Sequence, residues 1–136
     1  MGILGTLAGA LGTRWIDNRQ QRRVWLRDQR LEAHHAFLNR VNRLLAAGEA
    51  MTSSSPNAAN SNGLRTDFRE AVAATVDAFN RIELVSSRKT YDLATKILQA
   101  VHPERLLQPA EFEGVTRAVG EASRNYREAA KAELRA

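Results

Sequence analysis

Five arginines, Arg19, Arg22, Arg23, Arg27 and Arg30, crowd the stretch that follows an uncharged segment running from Met1 to Thr13. On a helix they lie largely along one side, and such a row of guanidinium groups binds anions: lipid headgroups or the phosphates of a nucleic-acid backbone. Trp15 stands at the edge between the apolar segment and the arginines, where an indole suits the headgroup belt of a bilayer. The position of the row beside apolar residues favours lipid, at about 1 kcal/mol per arginine near an anionic surface. Asp17 and Asp28 interrupt the row, and neither a recognition motif nor an aromatic stacking platform accompanies it. A solvated face or a protein contact is therefore the second reading of the row, and nucleic acid the third. The residues expected to meet a membrane or another anionic partner are Trp15, Arg19, Arg22, Arg23, Arg27 and Arg30. Trp25 is placed either on the same helix side as Trp15 or against the last helix.

Other chemistry is hard to assemble. His34 and His35 are adjacent, about 100° apart on a helix, and cannot share a metal in the usual i, i+4 manner. Glu32 and the distant His102 do not complete a ligand set. With no cysteine there is no disulfide, no thiol nucleophile and no thiolate metal site. Ser53, Ser54 and Ser55 lack a nucleophile-elbow context, and Glu111 and Glu113 suit capping and solvent rather than an acid–base pair. The expectation is no catalytic residue, no metal and no cofactor, hence no enzyme. Gly5 and Gly9 form a GxxxG spacing that Ala8 and Gly12 repeat. In an apolar helix this spacing would bring two backbones together through Gly5, Gly9 and Gly12. The other reading is that four glycines in twelve residues make a floppy, poorly helical end.

These residues need elements to position them. The chain has 136 residues, 43% hydrophobic and 26% charged, which suits one domain with one core. Its net charge of +5 is local. Residues 14–43 carry eight arginines against Asp17, Asp28 and Glu32, and the remainder is balanced. Gly2 to Ile16 offers fifteen residues, with Arg14 inside, where a transmembrane helix takes about 20. An interfacial anchor, a span completed by residues upstream of Met1, or a helix end buried in a partner would each account for it. A signal peptide is not expected, because no basic residue precedes the apolar stretch and the stretch before Ala8-Gly-Ala10 is too short.

The remaining pattern is helical throughout. Thr13 to about Met51 reads as one long helix whose second half, from Leu31, is amphipathic. Residues 52–63 are a polar, low-complexity linker expected to be mobile. A second helix is expected from Asp67, which caps it with Glu70 reaching back, along the seam Phe68, Val72, Thr75, Phe79 and Ile82. Ser86 and Ser87 cap a third from about Arg88 to Val101, ended by His102-Pro103. Leu106 and Leu107 lead into a fourth with Pro109 at its first position. No segment alternates as a strand does. The expected fold is all-α: a four-helix bundle-like body with a long N-terminal helix. Residues 1–12 form a short apolar, anchor-like segment and 13–136 the helical domain. The expected core holds Phe37, Val41, Leu44, Phe68, Val72, Phe79, Ile82, Ile97, Leu98, Val115, Val119 and Tyr126.

The stretch Gln21-Arg-Arg-Val-Trp-Leu-Arg-Asp-Gln-Arg-Leu-Glu-Ala-His-His-Ala-Phe-Leu38 resembles small uncharacterised membrane-anchored helical proteins of high-GC Gram-positive bacteria. In those proteins an N-terminal transmembrane helix runs into an arginine-rich helix. Arg81 to Ser87 and Ala129 to Leu134 continue the likeness. Arg88 stands where that family often has proline, and the apolar segment here is shorter. No activity is established for the family. The resemblance implies a cytoplasm-facing helical domain on a membrane anchor, with the N-terminus inserted. A cytoplasmic location is expected instead if the apolar end packs within the fold. Residues and resemblance together point to a non-enzymatic, membrane-associated protein acting by protein–protein contact, as a scaffold, accessory subunit or immunity-type factor. An anionic membrane surface and a protein partner or second copy are the partners expected. A nucleic-acid-binding module built on the basic helix 14–30 is the alternative.

Overall fold

The computed structural model describes the backbone of residues 2–54 and 59–135, and the side chains of 19–54 and 59–135. The described residues form five helices and no strand: α1 Gly2–Ser53, α2 Ser61–Val85, α3 Arg88–Ala100, α4 Pro103–Leu106 and α5 Pro109–Arg135. The protein is therefore all-α. α1 packs mainly on α2 and α3 on α5, while α1 against α5 and α2 against α3 close a four-helix arrangement. Within it, one-turn α4 touches α5 and α1.

The seams match the 3.6-residue period. From α1, Ala33, Phe37, Val41 and Leu44 are buried, and they meet Phe68 and Ile82 of α2, Ala94 and Ile97 of α3, and Val115, Val119 and Tyr126 of α5. Val72, Phe79 and Leu98 are half-buried and packed against this cluster. A chain of rings crosses it from helix to helix. Tyr126 lies edge-on to Phe37 at 5.6 Å between centroids, Phe37 is tilted against Phe79 at 6.2 Å, and Phe79 stacks on Tyr91 at 5.2 Å. Edge-on and offset contacts of this kind add to plain burial. Thr75 lies in the seam of α2 and is buried because its hydroxyl donates to Ala71 of its own helix at 2.7 Å.

Four boundaries differ from the pattern-based reading. α1 shows no break at residue 12 or 13 and runs on through Ser53. α2 begins at Ser61. The expected linker 52–63 thus loses both ends to helix, and residues 55–58 lie outside the described set. Asp67 is inside α2 and does not cap it, since the helix has already begun: the Leu64 amide donates to the Asn60 carbonyl, and the Thr66 hydroxyl to that of Asn62. Half-buried Leu64 sits one turn before Phe68, so the apolar period starts earlier than the capping signature suggested. Finally, Pro103–Leu106 is a helical turn of its own, with Leu106 fully buried. The His102 side chain accepts from the Glu104 amide and starts it. Leu106 packs beside Gly48 of α1, where a Cβ would lie 3.6 Å from Leu106 and 3.7 Å from Phe68, ordinary contact distances.

Candidate functional site

The site lies where α1 leaves the body. At about 1.5 Å per residue, a helix of 52 residues is about 78 Å long, roughly twice the length of α2 or α5. Residues 31–53 suffice to run along the bundle. The outer half projects: every side chain from Arg19 to Asp28 is exposed. Arg19, Arg22, Arg23 and Arg27 are among them, together with Val24 at 59% and Trp25 at 61% exposure. Arg19, Arg23, Arg27 and Arg30 share about 80° of helix surface, while Arg22 lies to one side. Trp25 does not pack against the last helix. Trp15, Gly5, Gly9 and Gly12 lie outside the residues whose side chains are described. Among the described residues, no helix is long and apolar enough to cross a membrane.

Arg30, the innermost of the five, has a different environment. Its Nε donates to the Val85 carbonyl at 2.7 Å and lies 3.1 Å from Oε1 of Glu133. Val85 is the last residue of α2, whose terminal carbonyls have no partner within the helix, and a guanidinium supplies one. Glu133 does the converse for α3. Its carboxylate accepts from the Ser87 amide at 3.2 Å and from the Thr90 hydroxyl at 2.7 Å, placing negative charge at the amide end of that helix. Ser87 caps α3 as the sequence implies, its hydroxyl accepting from the Thr90 amide. The α2–α3 joint is thus held by an arginine from α1 and a glutamate from α5. Glu133 is 6% exposed and Arg30 29%. On the other side of the stalk, Arg81 of α2 donates to Gln29 at 2.7 Å and pairs with Glu32 at 3.5 Å.

His34 completes the junction. It is buried, its Nδ1 meets the Tyr126 hydroxyl, and its Nε2 has no hydrogen-bond partner, lying 3.9 Å from Oε2 of Glu133. Burial holds the His34 pKa below its ordinary value; the nearby charge of Glu133 opposes this, and Arg30 and His35 reinforce it. A neutral ring accepts the Tyr126 proton at Nδ1 and keeps its own on Nε2. Burial, and then the charge of Glu133, push the Tyr126 hydroxyl well above its usual range, so it stays a donor. Among the described residues no group of three or more acidic or histidine side chains could hold a metal ion.

Two open concavities flank the junction. One, of about 500 Å³, is bounded by Arg23, Arg27 and Arg30 of α1 and by Glu133 and Arg135 of α5. The other, of about 470 Å³, has Leu31, Leu38, Ala130 and Leu134 as apolar walls with Arg127 and Lys131 beside them. Comparison with known protein families, with curated proteins and with solved structures finds no match for this chain.

The arginine row was legible in the sequence, and the junction was not. A signal did exist. Arg30 and His34 stand at the positions that extend the Phe37, Val41, Leu44 stripe outward, and Glu133 extends Val119, Tyr126, Ala130. Ionisable residues in register at the ends of two apolar stripes are candidates to meet each other, because burial of one demands a partner.

Proposed function

We propose that this protein is a non-enzymatic tether: the projecting half of α1 attaches to an anionic membrane surface and the bundle serves as a protein-contact module. One observation carries the reading. A basic, tryptophan-bearing helix with every side chain from Arg19 to Asp28 exposed is continuous with a helix buried in the core. A surface held by the outer half therefore fixes the position of the body. Arg30 and Arg81 brace the root, which suits a lever more than a flexible tail. Cationic and aromatic side chains mixed on one exposed helix fit the headgroup region, where arginine meets phosphate and indole sits at the boundary. The apolar groove around Leu31, Leu38 and Leu134, and the exposed Val24, support contact with a protein partner or a second copy.

The test is sedimentation of the full chain with phosphatidylcholine vesicles, with and without phosphatidylglycerol. Attachment should require the anionic lipid, weaken with salt, and be lost on replacing Arg19, Arg22, Arg23 and Arg27 with glutamine or on removing residues 1–12. A polybasic patch and an apolar segment are each weak alone. Tight binding to duplex DNA by the shortened chain, abolished by the arginine replacements, would favour the nucleic-acid reading instead.

A further inference from the structure

We infer that the cleft between the projecting half of α1 and the end of α5 is a discrete binding site for the phosphate of an anionic lipid headgroup. This rests on the tether reading and refines it: a localised site would add to general surface charge. Three guanidinium groups face the cleft from two helices, Arg23 and Arg27 from α1 and Arg135 from α5. Among the described residues none of the three has an ion pair. The one carboxylate lining the cleft among the described residues, that of Glu133, is already engaged by Arg30, Thr90 and Ser87. The cleft therefore keeps three positive charges in excess of its acidic ones. Guanidinium is suited to this ligand, since its planar donors match two phosphate oxygens at once.

Two further features select a lipid phosphate. Leu26 and Leu134 form part of the wall, so a phosphodiester whose ester arm runs on into a glyceride meets apolar surface as well as charge. A bare phosphate ion makes no use of those leucines. The cleft is also held in shape before any ligand arrives. Arg30 joins α1 to the end of α2, and Glu133 joins α5 to the start of α3, so the root of the stalk and the end of α5 are held at a set separation. A preformed arrangement lowers the ordering cost of binding.

The experiment uses the full chain and water-soluble dihexanoyl phosphatidylglycerol below its micellar range, with glycerol phosphate and inorganic phosphate as separate titrants, followed by calorimetry. Arg27→Gln and Arg135→Gln should each weaken the short-chain lipid about fivefold, the factor for one arginine–headgroup contact. Arg124→Gln, an exposed change elsewhere on α5, should not. The lipid should bind more tightly than glycerol phosphate. All three variants matching the unaltered protein would overturn the cleft, and vesicle attachment would still stand or fall on its own. No short-chain lipid binding by the unaltered protein would overturn it equally. Glycerol phosphate binding as tightly as lipid, without vesicle attachment, would assign the site to a soluble phosphate ester and remove the tether reading. Duplex DNA that displaces the lipid and binds far more tightly would assign the arginines to nucleic acid.

Discussion

From Ala33 to Leu44, α1 buries a side chain every three or four residues, whereas from Arg19 to Asp28 the same helix leaves all of them exposed. Nothing in the backbone marks the change. The inner half is held by tertiary burial. The outer half has no such support and rests on arginine, glutamine and leucine, which are good helix formers, propagating from a turn the core has already nucleated. The comparison separates two jobs on one helix. Ala33 to Gly48 serves the fold, and Arg19 to Asp28 adds nothing to the core and is the surface that the proposed tether uses. The junction of Arg30, His34 and Glu133 is where one job passes to the other.

The largest effect expected from this contrast comes from two aromatic residues on the one helix. Phe37→Ala should cost about 3–5 kcal/mol, since it removes a fully buried ring from the centre of the aromatic chain. Trp25→Ala should change stability by no more than about 0.5 kcal/mol, as exposed substitutions do, while weakening vesicle attachment. Urea denaturation of both would decide. A comparable loss in Trp25→Ala, growing with protein concentration, would show that the outer half is buried against a second copy.

Next in size is the junction. Glu133→Gln keeps the shape but not the acceptors. Both oxygens of Glu133 face donors: the Ser87 amide and Arg30 Nε at Oε1, and the Thr90 hydroxyl at Oε2. An amide offers one oxygen and sets an N–H against the remaining donors. The loss should be about 1.5–3 kcal/mol, the range for hydrogen bonds to a charged group. Backbone amides around Arg27–Arg30 should also exchange faster, because the root of the stalk is loosened. Glu121→Gln, exposed on the same helix, should do neither.

How much could be read from the sequence follows the same division. The apolar stripes of all four long helices, and with them the core, were visible because periodicity reports burial directly. Ser87 and Pro109 were visible as helix starts because capping chemistry is local. Leu106 was not, since a single turn from Pro103 to Leu106 is too short to show a period, and the α1 surface it packs beside, at Gly48, lies more than fifty positions away. Glu133 was not, because a glutamate near a helix end reads as solvated until the start of α3 is found beside it. Of the arginine row, the sequence identified every member yet could not tell that Arg30 faces inward. That distinction rests on Val85 and Glu133, neither of which is near it in the chain.

Gly48 allows a smaller and opposite test. It is buried in the inner half of α1, so glycine there weakens the helix on which the projection depends. A Cβ would meet Leu106 and Phe68 at 3.6–3.7 Å, ordinary contact that asks nothing to move. Gly48→Ala should therefore raise stability by about 1 kcal/mol, the helix-propensity difference, and leave vesicle attachment unchanged. A thermal midpoint that fell instead would mean that α4 sits closer to α1 than these distances allow.

The smallest expected effect is one of pH, and it too distinguishes the two regions. His34 is the histidine of the junction, whereas residues 19–28 contain none. Its pKa is lowered in the folded protein, chiefly by burial, with Arg30 and His35 adding to the shift and Glu133 resisting it. Tyr126 also faces the ring and stays protonated. The unfolded chain therefore takes up a proton at this position near pH 6.5, the ordinary histidine value, while the folded chain does not until lower pH. Where the unfolded state binds more protons, stability rises with pH. The contribution of His34 is thus fully present above about 6.5 and declines as pH falls from there towards the lowered folded value. Denaturation across that window should show a slope that His34→Gln flattens, since glutamine can still accept from Tyr126 but does not titrate. Glu133→Gln should make the slope persist to lower pH, by removing the one neighbour that favours the charged ring. An unchanged slope in His34→Gln would place the acid sensitivity elsewhere, and the junction would then be a brace without a titrating member.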